Sequence, residues 1–208
     1  MQIMNEKLIS PFFNEVHERF TINELAKKTG VSYSYVYRQV EKAKKEKILE
    51  VNERSRRNYC KPNYNNPKTK TYFVKISGHY ADAFFKENNE LSLIMDRILS
   101  RLPAKTDFNL LSIVLFGSRA KETGTPRSDI DLLVLVSSKD LYDDIIQTEC
   151  AAISRSFGVE INPLIAEPVN LLNMLKDKEE NVAKEILKHK VILFGAEKFW
   201  EIVFEGLK

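Results

Sequence analysis

The stretch SIVLFGSRAKETGTPRSDIDLLVLV, residues 112–136, constrains this chain more than any other. Ile113 to Phe116 and Ile130 to Val136 are short continuous apolar runs, the first with β-branched members, and both read as strands buried on two faces. A compact polar turn lies between them. Gly117 lets a backbone approach a ligand closely, Ser118 offers a hydroxyl and a helix cap, and a short helix from Arg119 to Glu122 points free amides at whatever sits at its start. These features make a phosphate cradle.

Asp129 and Asp131 alternate with Ile130 and Leu132. Strand side chains change face at every residue, so both carboxylates project together while their neighbours enter the core. Two such acids repel one another unless a cation sits between them, and hard oxygen ligands beside a phosphate cradle indicate Mg²⁺ or Mn²⁺. A single aspartate here would read better as a turn cap. The whole set, with Gly-Ser twelve residues earlier, points to a metal.

A hydrophobic residue, Gly-Ser, ten residues and Asp-hydrophobic-Asp-hydrophobic resembles the signature of the DNA polymerase beta nucleotidyltransferase superfamily. Gly117-Ser118-Arg119-Ala120 with Ser128-Asp129-Ile130-Asp131-Leu132-Leu133-Val134 is similar to its minimal nucleotidyltransferase branch. The resemblance covers about residues 90–200. It implies a mixed sheet flanked by helices, a nucleoside triphosphate donor such as ATP, and two divalent ions held by Asp129 and Asp131. Family members commonly carry a third carboxylate on a neighbouring strand. In FGVEINPLIA, residues 157–166, Glu160 is the candidate for it, as metal ligand and general base, with Glu160 and Asn162 facing opposite to Val159 and Ile161. Aspartate is frequent at this place in the family, and Pro163 suits only an edge strand or a strand end. Expected site residues are therefore Asp129, Asp131 and Glu160 for catalysis and metal, and Gly117, Ser118 and Arg119 for nucleotide. Arg119 and Lys121 are also candidates to neutralise the outer phosphates.

The charge distribution separates a different front half. Residues 1–75 hold 16 Lys/Arg against 8 Asp/Glu, a net +8, whereas the remainder holds 16 against 21, a net −5. A polyanion partner is expected for the first part. From Thr21, TINELAKKTGVSYSYVYRQVEKAKKEKIL reads as two short helices around a tight turn: Thr21 and Glu24 fit a capping box, Gly30 ends the first helix, and Ser32 caps the second. Val36, Val40 and Ala43 form the buried stripe of that second helix. An earlier helix is expected from about Asn5 to Glu18, with Pro11 near its first turn or kinking it. After Ile48, apolar ends around a basic, Asn-rich centre suit a long hairpin carrying Arg54, Arg56, Arg57, Lys68 and Lys70.

Over residues 5–77 this pattern resembles the winged-helix DNA-binding family. The resemblance implies that Tyr33, Ser34, Tyr35, Arg38 and Lys42 enter a major groove while Arg54, Arg56 and Arg57 contact phosphates. Such modules also serve in dimerisation or protein docking. Three tyrosines within five residues cannot all face one side of a helix.

The expected architecture is α+β: a winged helix-turn-helix at 1–77, a linking helix or helices at 78–103 with a break near Asn88 and Asn89, and a nucleotidyltransferase domain at 104–208. One helix is expected from Pro168 to Lys190, then the strand VILFG at 191–195 and a packing helix through Trp200. Cys60 and Cys150 fit neither a disulfide framework nor a metal spacing, and no membrane segment is evident, so a cytoplasmic protein is expected. Two functions are consistent with this reading. One is a nucleotidyltransferase that also binds DNA. The other is a transcriptional regulator, or the antitoxin of a toxin pair with a cognate protein partner, whose transferase-like domain binds without turnover. A homodimer on a two-fold operator is compatible with either.

Overall fold

The structure is a computed structural model describing residues 2–54, 57–107 and 109–208. Two compact units divide the chain: residues 1–76 with 207–208, and residues 77–206. Among the described residues no helix is long and apolar enough to cross a membrane.

The first unit opens with α1 (Gln2–Ile9) and a 3₁₀ turn (Ser10–Phe12), followed by β1 (Phe20–Thr21), α2 (Ile22–Thr29) and α3 (Tyr33–Lys45). The helix expected to reach Glu18 stops at Ile9. Pro11 has no N–H to give and its ring opposes the carbonyl one turn earlier, so the chain tightens into the 3₁₀ turn that contains it. At α2 the Thr21 hydroxyl accepts from the Glu24 amide, and the Glu24 carboxylate takes the Thr21 N–H in return. That exchange holds the Glu24 carboxyl below its ordinary range, through the Thr21 backbone first and its hydroxyl second. Gly30 closes the helix at φ 63°, a left-handed conformation costly for any residue with a Cβ. Val36, Val40 and Ala43 bury one face of α3 against the Leu8, Ile9, Phe12 and Leu25 core.

Strands β2 (Leu49–Arg54) and β3 (Arg57–Pro62) pair antiparallel from Leu49↔Pro62 to Arg54↔Arg57, and β1 adds to β3 to give the order β1-β3-β2. The second arm of the expected hairpin is not a strand. Lys68 and Lys70 stand instead on α4 (Pro67–Glu87). The asparagines that read as a hairpin tip are a helix start. Asn66 Oδ1 accepts from the Lys68 amide at 2.9 Å, its Nδ2 donates to the Glu46 and Lys47 carbonyls, and Asn63 Nδ2 donates to Lys47 at 2.9 Å. Pro67, with φ already fixed, begins the helix.

In the second unit, α4 ends at Glu87 and α5 (Asn89–Lys105) follows one residue later, with Pro103 tolerated in its last turn. Leu91, Ile94, Met95, Ile98 and Leu102, from the segment read as a linking helix, lie in this unit's core. Next come β4 (Leu110–Phe116), α6 (Gly117–Ala120), β5 (Ile130–Val136), α7 (Lys139–Phe157) and β6 (Ile161–Ala166). The chain finishes with α8 (Pro168–Lys176), α9 (Val182–Lys188), β7 (Val191–Phe194) and α10 (Ala196–Gly206). The single helix expected at 168–190 is two, because Asn181 stops one and starts the other: Nδ2 donates to the Met174 carbonyl while Oδ1 accepts from Ala183 and Lys184.

The sheet order is β6-β5-β4-β7, with β4 antiparallel to both its neighbours and β5 parallel to β6. This is the mixed sheet flanked by helices that the resemblance implies. Ile130, Leu132, Val134 and Val136 share one core with α5 and α7, through Ile98, Ile146, Cys150 and Ile153. Side chains alternate along β5, so Asp131 points to the opposite face with Leu133 and Leu135. Each fully buried aliphatic side chain of this kind contributes about 1.5–3 kcal/mol. That burial is what holds Asp131 at the strand mouth. Cys60 and Cys150 are free and buried, and burial pushes both thiols up to about 12.

Candidate active site

The β4–β5 register ends at Phe116↔Asp131, which delivers the chain at Gly117 directly onto the Asp131 carboxylate. Gly117 has φ 72°, and a Cβ built there would lie 2.0 Å from Asp131 Oδ2. Only glycine meets both conditions. Asp131 is half-buried and its carboxyl is pushed above the ordinary carboxylate range, by burial first and by the negative charge of Asp129 second. Glu185 adds to that rise, while a hydrogen bond with Asn162 and the Lys121 ammonium oppose it. Asp129 is exposed one residue before β5 begins.

The segment after Gly117 folds back on itself. The Ser118 carbonyl accepts from the Thr123 and Gly124 amides at 3.1 and 3.0 Å, and the Thr125 amide donates to the Ser128 hydroxyl at 2.9 Å. Arg119 takes part in this closure: its Nη1 donates to the Thr125 carbonyl, and its Nε is buried without a hydrogen-bond partner among the described residues. The guanidinium expected to bind phosphate thus braces the loop that carries Asp129.

Across the parallel pair, Asp131 stands beside Asn162 and Ile130 beside Ile161, and the Ile130 amide donates to the Glu160 carbonyl at 2.8 Å. Glu160 is exposed just ahead of β6, and Asn162 is the residue bonded to Asp131. Pro163 is accommodated because β6 is an edge strand. Among the described residues no three Asp, Glu, His or Cys side chains converge into a group able to hold a metal.

A feature invisible in the sequence lies near Asp131. Lys121 Nζ pairs with Glu185 Oε1 at 2.5 Å, across 64 residues of chain. Both line an open cavity of about 470 Å³ with Glu180, Asn181, Lys188 and His189. Only the fold brings Lys121 and Glu185 near Asp131, and no local spacing announces them.

The donor chemistry fits a hard divalent cation. Asp129 and Asp131 are both carboxylates, the charge of Asp129 raises the cost of charging Asp131, and the amide of Asn162 stands alongside. The Asp131 carboxylate occupies the position that a side chain at residue 117 would need, so glycine there is what seats the acid against the turn.

In the first unit, Tyr33, Tyr35 and Tyr37 are 53%, 38% and 42% exposed. They divide between two flanks of α3, as the spacing requires. Tyr33 and Tyr37 stack at 6.3 Å, while the Arg38 guanidinium lies 5.7 Å from the ring of Tyr35. Ser34 and Arg38 are exposed and Lys42 is half-buried. Tyr33 also joins Lys27, Asn23, Arg57 and Asn58 around a cavity of about 390 Å³, which brings α2, α3 and β3 to one surface. Arg57 is exposed on β3, Arg54 closes β2, and Arg56 lies outside the described residues.

The family model described as Polymerase beta, Nucleotidyltransferase matches residues 101–199. A Methanocaldococcus jannaschii protein named as a candidate protein adenylyltransferase is 29% identical over 127 residues, covering 57% of this chain and 81% of that protein. A crystal structure of a toxin-antitoxin with AMP-PNP aligns with a TM-score of 0.40 at 19% identity, over 54% of this chain and 83% of that one. Over residues 101–199, which span Gly117, Asp129, Asp131 and Glu185, the chain is thus similar to the polymerase beta nucleotidyltransferase family.

Proposed function

We propose that the chain is a metal-dependent nucleotidyltransferase that moves a nucleoside monophosphate from a triphosphate, ATP foremost, to an acceptor hydroxyl. The observation that carries this reading is the seating of Gly117 against Asp131 with Asp129 beside it. Gly117 and Ser118 bind the phosphates through backbone amides and a hydroxyl. Asp129 and Asp131 hold Mg²⁺ or Mn²⁺, which when bound supplies charge neutralisation at the phosphate being transferred. Arg119 keeps the 121–129 loop closed so that Asp129 stays at the mouth of β5. Glu160 takes the proton from the acceptor hydroxyl, whose oxygen bonds to the α-phosphorus as the bond to the bridging oxygen breaks and pyrophosphate leaves. A protein hydroxyl is the preferred acceptor class, supported by the name of the M. jannaschii relative.

The first unit is proposed as a winged helix that binds DNA, with Tyr33, Ser34, Tyr35, Arg38 and Lys42 on α3, Arg54 and Arg57 on the paired strands, and Arg56 also contacting phosphates. The exposed basic and aromatic face of α3 supports this. A second reading, nucleotide or partner binding without turnover in a regulator or antitoxin, is favoured by one observation: Glu160 does not join Asp129 and Asp131 in a three-acid group.

The test is incubation with Mg²⁺ and ATP labelled at either the α- or the γ-phosphate, with the cognate gene neighbours as acceptors. Transfer of the α label alone, lost in Asp131→Asn, is expected. Retention of nucleotide with no label transferred to any acceptor favours the second reading.

A further inference from the structure

Lys121 is the first residue after α6, and its ammonium and the Glu185 carboxylate are both close enough to Asp131 to act on its charge. The cavity they line therefore adjoins the proposed phosphate site. Its cations are both occupied by neighbours: Lys121 pairs with Glu185, and Lys188 with Glu180 at 3.4 Å. The four charges cancel, so in this state the cleft presents little net attraction to a polyanion. Neither pair is deeply buried, with side-chain exposures of 33% and 45% for Lys121 and Glu185. Exposed ion pairs are weak and readily exchanged. A triphosphate offers a denser set of charged oxygens to Lys121 than one carboxylate does.

The helix presenting Glu185 is itself fixed. Ile186 and Leu187 are 0% and 3% exposed, and Asn181 ties the start of α9 to Met174. Any exchange of partners is therefore a side-chain rotation and leaves α9 in place.

We infer that Lys121 and Glu185 form a latch on the nucleotide cleft, in which the polyphosphate tail of the incoming triphosphate takes Lys121 from Glu185 and Glu185 turns out of the cavity. This rests on the nucleotidyltransferase reading above and adds to it a residue that sets how readily the empty site accepts nucleotide. Glu185 acts through Lys121 and is a positioning residue.

A double-mutant cycle on the full chain tests it, with ATP and excess Mg²⁺ titrated by calorimetry into wild type, Glu185→Gln, Lys121→Gln and the double variant, and thermal melts confirming folding. Glu185→Gln is expected to tighten binding about two- to fivefold, the range an exposed ion pair commands. Lys121→Gln should weaken it about tenfold, and Lys121→Arg should restore it. In the Lys121→Gln background the Glu185 substitution should do almost nothing. Equal tightening in both backgrounds would show that Glu185 merely repels phosphate, and overturns the latch. Unchanged affinity in either single variant also overturns it. A wild type that binds no nucleotide overturns the nucleotidyltransferase reading along with it.

Discussion

Gly117, the residue after Asp131's register partner Phe116, lies so close to Asp131 that a methyl group on the glycine would stand 2.0 Å from the carboxylate. The turn that would bind phosphate and the acid that would bind a cation are thereby one structural unit. Gly117→Ala should push the Asp131 carboxylate aside and strain a backbone at φ 72°, at a cost of about 1–2 kcal/mol for the left-handed conformation alone. A lower melting temperature with at least a tenfold loss of Mg²⁺-ATP affinity is expected. Unchanged affinity would mean that the turn and the acid work independently.

The raised Asp131 carboxyl has a consequence for stability. Burial and Asp129 disfavour its charged form in the folded chain, so the penalty is absent at acid pH and appears as pH rises through the folded-state value. Asp131→Asn removes it. In metal-free buffer at neutral pH the variant should melt higher than wild type, and the difference should shrink as pH falls below the carboxylate range. This is the signature of a group kept for function at the expense of the fold.

Lys190 is 1% exposed, its Nζ donating to the Leu187 carbonyl at 2.8 Å and lying 5.0 Å from the Trp200 ring centre. Burial drives its ammonium well below the usual lysine range. The unfolded chain thus holds a proton that the folded chain resists, and stability contributed through this residue grows with pH up to the ordinary lysine value. Lys190→Met should raise the melting temperature most at low pH, with an advantage that narrows toward pH ~10. An advantage independent of pH would assign the effect to packing.

On the first unit, Arg38 and Arg57 are exposed cations on α3 and β3. If they meet a nucleic-acid backbone, Arg38→Ala and Arg57→Ala should each reduce the salt dependence of duplex binding, lowering the logarithmic slope by about one. Fluorescence anisotropy across a salt series reads this directly. Slopes equal to wild type would leave the basic face without a polyanion partner.

The elements legible in advance were those whose signals are local. Both strands of the 112–136 stretch, the turn between them, the Thr21–Glu24 cap and the Gly30 stop depend on residues at most a few positions apart. Local signals mislead where one residue type serves two purposes. Asn63 and Asn66 suit a hairpin tip as well as a helix start, and only their bonds back to Glu46 and Lys47, 16 to 20 residues away, select the helix. The α8–α9 break is hidden for a related reason: Asn181 sits in a charged run whose flanking leucines keep a helical period. At the site, Asp129 and Asp131 were visible as an alternating pair. The choice between Glu160 and Asn162 as Asp131's neighbour required the β5–β6 register, and Glu185 required the whole sheet-and-helix arrangement.

The most direct measurement is calorimetric titration of Mg²⁺-ATP into wild type, Asp129→Asn and Asp131→Asn, with and without chelator. Saturable binding by wild type that needs the divalent ion and falls at least tenfold in each variant is the expected result. Equal affinity in all three proteins would contradict the assignment of Asp129, Asp131 and the Gly117 turn as a metal–nucleotide site.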